Sequence, residues 1–392
     1  MIHTVLGEDG HMDRGWTARA STAGLSAALL ASACSGGTTD RLGDLAAAER
    51  AETATFPGAA WTQGDPTELG FDAAKLEEIA QAADPETLCM LVMRHGEVVG
   101  EWYYGDATAE TTTNVMSVTQ AYTSTLVGIA QDEGFLDIDD KVSKYIPEWI
   151  GTESEDVTIR EILEHTTGRE STNSIGNSDL HERLVTAPDP GRFAIGLTQD
   201  HPAGTVWSQN LPAIELLNPI LTAATGQDPA DYAQEKLFAP LGATHTTMGK
   251  TGAGVTTMHA FLTTTCQDAA RFGYLFLRQG NWNGTQVISK EWVDQATHPS
   301  QDFNAGWGFL WWLNRPGSLV SIDNVITPDY DEQADLKLVP DAPEDMYWAL
   351  GYGGQYIQVD PATDTVVVRL GAGDEASNMQ TVVSTVTDAI VE

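Results

Sequence analysis

The chain has 392 residues, with 20 Lys and Arg against 56 Asp and Glu, a formal net charge of −36 with histidine neutral. A surface of that sign repels phosphate backbones and acidic headgroups, which excludes nucleic acid and a polybasic membrane patch as partners. Apolar residues are 42% of the sequence and include 11 Trp and 10 Tyr, ample for a buried core in one large domain or two packed ones, and not the composition of a disordered chain. The acidic residues are spread along the whole sequence. They read as a solvated shell suited to a salt-rich habitat more than as a site for a cationic ligand.

The amino terminus reads as an export signal. From Met12 the chain has a positively charged start, then a small and apolar run from Ala20 to Ala33 that is too short to span a bilayer, then Cys34. Met1 to His11 read as an upstream extension. The stretch Leu30-Ala31-Ser32-Ala33-Cys34 resembles a bacterial lipobox, in which the cysteine is lipidated, although Ala31 stands where that pattern prefers Leu. A cut nearby without lipidation and a plain amino-terminal helix are the alternatives. The expected organisation is a signal with lipobox over 1–34, a Gly-, Thr-, Ala- and Asp-rich linker over 35–60, and a folded domain over 61–392. Any contact with a membrane is expected only through the lipid anchor.

Within the body, Leu91 to Tyr104 reads as two strands around a His95-Gly96 turn. Ser117 to Glu133 carries apolar residues almost all round the helical wheel and ends at Gly134, so this helix should be central and buried. Leu136–Asp140 and Tyr145–Trp149 read as loop and turn. Val157–His165 reads as a short helix stopped by Thr166-Thr167-Gly168. Further helices are expected from about Ala213 to Thr225, from Asp268 to Gln279 and from about Met379 to Val391, with strands at Tyr356–Asp360 and Thr365–Leu370. Cys89 and Cys266 read as buried small hydrophobes, a disulfide between them being open but not signalled. The nine histidines show no metal-ligand spacing.

Several segments together carry a family resemblance. They are Val115-Met-Ser-Val-Thr-Gln-Ala-Tyr, Ile162-Leu-Glu-His-Thr-Thr-Gly168, Pro202-Ala-Gly-Thr-Val-Trp207, Pro240-Leu-Gly242, Asp268-Ala-Ala-Arg-Phe-Gly-Tyr-Leu and Gly354-Gln-Tyr-Ile-Gln-Val-Asp-Pro361. Over nearly all of 61–392 the chain resembles the penicillin-binding and serine β-lactamase superfamily, in particular class C-like serine hydrolases and 6-aminohexanoate-dimer hydrolases. The resemblance implies an α+β, β-lactamase/transpeptidase-like fold: an antiparallel sheet flanked by helices, with an all-helical subdomain carrying the nucleophile helix. It implies Ser117 as the nucleophile of an acyl transfer that needs no cofactor. It also implies an oxyanion site between the N–H groups of Ser117 and Tyr352, with Ser208, Asn210, Gly351 and Gly353 along the substrate. Taken alone, Ser117 reads as an ordinary helix cap, the commonest role of serine before a helix.

The departures from the family pattern fall on proton handling. The superfamily's lysine, three residues after the serine, is Gln120 here. A carboxamide can orient the hydroxyl but cannot take its proton at neutral pH. The second motif's tyrosine position falls on Gln209, flanked by Ser208 and Asn210, which could partly substitute. The third motif falls on Ala349-Leu350-Gly351 and keeps only its glycine. Lys250-Thr251-Gly252 copies that motif literally but lies too early in the chain. His165 reads as a turn residue, His181 and His201 as loop residues, and Trp307, Trp311 and Trp312 mostly as structure. Two readings remain: an exported serine hydrolase acting on an ester or amide, and a catalytically degenerate relative that binds peptide, cell-wall fragment or a partner protein. An α/β-hydrolase is disfavoured, because the chain has no Gly-x-Ser-x-Gly elbow.

Overall fold

In the computed structural model the described residues are 54–171, 179–319, 336–373 and 386–391. The amino-terminal expectations, Cys34 included, and most of the last expected helix lie outside them; of that helix, 386–389 is described and helical. Packing reaches upstream of Trp61. The Thr55 carbonyl accepts the Tyr274 hydroxyl and the Gly58 carbonyl accepts the Arg271 guanidinium.

A seven-stranded sheet forms the body, with strand order β1-β3-β2-β7-β6-β5-β4. The strands are β1 (Thr62–Gln63), β2 (Thr87–Arg94), β3 (Glu97–Tyr103), β4 (Trp312–Leu313), β5 (Tyr347–Gly351), β6 (Gln355–Asp360) and β7 (Thr365–Gly371). The sheet is antiparallel, as expected, except at one edge, where the two-residue β1 runs parallel to β3 with Thr62 opposite Glu97 and makes the sheet mixed. The expected hairpins are present, the first turning through His95 and Gly96 at positive φ. Central strands bury both faces. Cys89, Leu91 and Met93 enter the main core while Met90 and Val92 enter the core on the opposite face, which explains why β2 reads as a continuous apolar run.

Helix α1 (Ala73–Gln81) packs on the second face with Phe71 and Val99. Among the helices that cover the main core are α2 (Thr119–Asp132), α3 (Ile159–Glu164), α4 (Asp179–Thr186), α5 (Leu211–Glu215), α6 (Leu217–Thr225) and α7 (Cys266–Leu277). Every residue of α2 from Thr119 to Ala130 is buried, the all-round burial its wheel predicts. The helix expected over 213–225 is two pieces, α5 and α6, meeting at Leu216. Pro219 supplies the reason, because it has no N–H to donate to the Glu215 carbonyl one turn back. Likewise α3 is shorter than expected, since Thr158 caps it in a reciprocal capping box with Glu161. His181 lies on α4 and not in a loop.

Cys89 and Cys266, both buried in the main core, are joined in a disulfide, the pairing that the sequence left open. It ties β2 in the sheet to the first residue of α7. A link across 177 residues of separation removes much denatured-chain entropy. The Cys89→Ala/Cys266→Ala double variant is expected to lose about 2–5 kcal/mol of stability in denaturant titration. An unchanged midpoint in non-reducing buffer would show that the bridge is absent or energetically idle.

Candidate active site

The chain entering α2 is bent and tied before it becomes helical. The Asn114 side chain accepts the Met116 N–H at 2.9 Å, and Met116 has φ +50°, a left-handed backbone that costs a side-chain-bearing residue about 1–3 kcal/mol. A 3-10 turn over Met116–Val118 follows and runs into α2. Ser117 is half-buried at this mouth, whereas the helix behind it is fully enclosed. The free N–H groups and dipole of a helix start favour negative charge here.

A Thr-rich segment straps the turn in place. Val115 N–H donates to the Leu262 carbonyl at 3.0 Å, Leu262 N–H to the Thr119 hydroxyl at 3.1 Å, and the Thr123 hydroxyl to the Met258 carbonyl at 2.7 Å. Gln120, buried one turn past Ser117, donates through Nε2 to the His259 carbonyl at 3.5 Å.

From the sheet side, the end of β5 meets the same turn. A Cβ built on Gly351 would lie 2.3 Å from the Val115 carbonyl oxygen and 3.2 Å from Val118 N, so only glycine allows this approach. Ala349 and Leu350, which precede it, are apolar and packed in the two cores. Tyr352 follows and is 62% exposed, and the chain then turns through Gly353 and Gly354, both at positive φ, into β6. The turn that carries Ser117 and the end of β5 at Gly351 thus meet, with Tyr352 and Gly353 following Gly351 in the β5–β6 turn and Gln120 lying one helical turn into α2.

Ser208, Gln209 and Asn210 form a second group around His165. Ser208 N–H donates to the His165 carbonyl at 3.0 Å, and its hydroxyl pairs with that of Ser171 at 2.9 Å. The Asn210 side chain is fully committed: it caps α5 through Ala213 N–H and donates to the Arg169 and Glu170 carbonyls. With these partners the 2% exposed carboxamide holds the loop to the start of α5, and the residue lines the cavity beside it. Gln209 is buried between them. Among the described residues, none of the three is hydrogen-bonded to Ser117.

His165 closes α3 in a left-handed conformation, its Nδ1 accepting Asn210 N–H at 3.3 Å and its ring stacked on Trp307 at 4.6 Å. Trp307 and Trp311 are wholly buried, as structural residues would be. A cavity of about 140 Å³ opens beside this loop, lined by His165, Asp200, His201 and Ser208 among others. Lys250 pairs with Asp228 at 3.1 Å on a surface loop, consistent with its triplet being a coincidence.

One pair was not seen in the sequence. Glu215, on α5 and wholly buried, accepts through Oε1 from Met258 N–H (2.8 Å), His259 N–H (2.9 Å) and His259 Nδ1–H (2.6 Å). The same His259 supplies the carbonyl that receives Gln120. An acid inside the apolar run Leu211-Pro-Ala-Ile-Glu-Leu-Leu was the available signal, since a buried carboxylate requires a partner.

This architecture, a serine at the mouth of an enclosed helix beside a turn of a mixed sheet flanked by helices, is that of the β-lactamase/transpeptidase-like fold. The β-lactamase family model matches residues 73–381, and the chain belongs to that family of serine hydrolases. It is 25% identical over 355 residues to the 6-aminohexanoate-dimer hydrolase of Paenarthrobacter ureafaciens, covering 81% of this chain and 82% of that protein. In fold it resembles a family VIII carboxylesterase (TM-score 0.63, 15% identity, 82% of this chain and 98% of that one). It also resembles a penicillin-binding protein homologue from Caulobacter crescentus (TM-score 0.60, 15% identity, 84% and 98%).

Burial pushes the His165 imidazole down from 6.5 to about 3, so it stays neutral in the fold while the unfolded chain takes up a proton below 6.5. Its share of stability is therefore present above that pH and lost as pH falls from 6.5 toward about 3. His165→Gln is expected to show a shallower loss across that window in urea titrations. An equal slope in both proteins would contradict a neutral buried imidazole.

Proposed function

We propose that the protein is an exported serine hydrolase that opens an ester or amide through an acyl-enzyme on Ser117. The carrying observation is the half-open Ser117 at the mouth of α2 with the β5–β6 turn set across it. Ser117 Oγ attacks the carbonyl carbon, and the oxygen, as it gains charge, lies between the N–H groups of Ser117 and Tyr352. Gln120 orients the hydroxyl without taking its proton, which passes to water. The tetrahedral intermediate collapses, its C–O or C–N bond breaking and the alcohol or amine leaving with the proton that water had taken; a second water then hydrolyses the acyl-enzyme, releasing the acid and restoring the Ser117 hydroxyl. Gln209 fills the place of the family's tyrosine without its acidity, and Ser208, Gly351 and Gly353 border the substrate.

The substrate we infer is a neutral ester. Residues 120, 349 and 350 are Gln, Ala and Leu, so they offer an anionic substrate no counter-charge, and the chain's net charge of −36 repels one. An ester leaves more easily than an amide, which suits a site with a weak proton acceptor. The named relatives include an amide hydrolase and a carboxylesterase, and both chemistries run through one acyl-enzyme. The competing reading, a binder without turnover, draws on Gln120, whose carboxamide is buried and engaged with His259. Export is supported by the disulfide, because such bonds persist in oxidising compartments.

Intact mass after incubation with a fluorophosphonate tests the reading. A single adduct that disappears in Ser117→Ala is expected; no adduct under forcing conditions would leave the binder. Gln120→Lys is expected to raise ester turnover on the order of tenfold or more, since a positioned general base contributes about 10²–10⁴. A well-folded but inert Gln120→Lys would contradict the placing of the remaining groups. On protein from its native host the same mass measurement reads the amino terminus. A start at diacylglyceryl-Cys34 supports a lipid anchor, and an intact Met1 contradicts export through this signal.

A further inference from the structure

Two buried side chains beneath the β5–β6 turn have no part in the reaction as proposed. Gln355, the first residue of β6, is 4% exposed. Its Nε2 donates to the Asn114 carbonyl at 2.9 Å and to the Tyr352 carbonyl at 3.3 Å, and its Oε1 accepts Gly371 N–H at 3.4 Å. Arg369, on β7, is 1% exposed. Its Nη1 donates to the carbonyls of Gly353 (3.0 Å), Gly354 (2.7 Å) and Gly371 (3.5 Å), and its Nη2 to that of Ala372 (2.7 Å).

These bonds act on the two backbone groups that would hold the oxyanion. The peptide before Tyr352 is fixed by the β5–β6 ladder, where Gly351 pairs with Gln355, and the peptide after it is fixed by Gln355 Nε2. The Tyr352 N–H then has one direction. On the other side Asn114 holds Met116 N–H and so sets the turn that presents Ser117. One carboxamide therefore bridges both halves of the site. Gly353 and Gly354 are consecutive residues at positive φ, a flexible pair unless their carbonyls are held, and the guanidinium holds both. A cation enclosed with carbonyl partners carries a desolvation penalty that an apolar residue would avoid, so stability alone is a poor reason for Arg369. Its charge also adds positive potential behind a turn where negative charge develops.

We propose that Gln355 and Arg369 are positioning residues of the oxyanion site, Gln355 setting the spacing between the Ser117 and Tyr352 N–H groups and Arg369 locking the glycine turn that carries the second. This rests on the reading of Ser117 as the nucleophile and goes beyond it in assigning what orients the two donors.

The test compares wild type, Gln355→Leu, Arg369→Gln and Arg369→Lys by the second-order rate of fluorophosphonate labelling per folded molecule, folded fraction being read by near-UV circular dichroism. Gln355→Leu and Arg369→Gln are expected to label about tenfold or more slowly, because loss of one oxyanion donor costs about 10²–10³ and here the donors are misaimed and not removed. Arg369→Lys, which keeps the charge and a donor, should recover most of the rate. Folded variants that label at the wild-type rate would overturn the proposal. A slowdown matching only the unfolded fraction would also overturn it, since that is what a purely structural role gives. The failure of the nucleophile reading is distinguishable: wild type then gives no adduct. Hydrogen exchange reads the bridge in either case, with faster exchange expected in both 111–118 and 350–356 in Gln355→Leu. Unchanged exchange in either segment would remove Gln355 as the link.

Discussion

The site depends on a single close approach. The last residue of β5 comes against the turn before α2, and the gap is so small that a methyl group at Gly351 would lie 2.3 Å from the Val115 carbonyl oxygen. The sheet brings the Tyr352 backbone and the enclosed helix brings Ser117, so the missing side chain at Gly351 sets how near the two can stand. The disulfide from β2 to α7, the Thr-rich strap along 258–264 and the cap at Asn114 hold either side of that contact.

The central elements were legible in the sequence because local pattern and tertiary role agree in them. The hairpin at His95-Gly96 and the strands β6 and β7 have β-branched runs around turn residues, and α2 is apolar all round because it is enclosed. The spacing of Ser117 and Gln120 was likewise local information, one helical turn. Features that failed to show were long-range or set by a single atom. The parallel pairing of β1 depends on which edge of the sheet is free, and the break between α5 and α6 on the missing N–H of Pro219. The disulfide joins segments far apart in sequence, and the Glu215–His259 pair joins an apolar helix to a loop.

On the reading that puts Gln120 and Gln209 where the family has its lysine and tyrosine, the replaced side chains are those that handle protons. What remains is main chain: helix start, glycine contact and glycine turn, held by buried Gln355 and Arg369. Backbone donors that are already oriented stabilise developing charge without reorganising, and such stabilisation is often the largest single contribution in acyl transfer. A site that keeps the donors while replacing the base fits slow chemistry on easily cleaved bonds, and it fits a binder only if the hydroxyl has become silent.

The most direct measurement is the crystal structure of the protein after reaction with a fluorophosphonate. The account predicts phosphorus on Ser117 Oγ, with one phosphonyl oxygen within about 2.7–3.1 Å of both the Ser117 and Tyr352 nitrogens. A phosphonyl oxygen turned to solvent, or phosphorus attached to another residue, would contradict it.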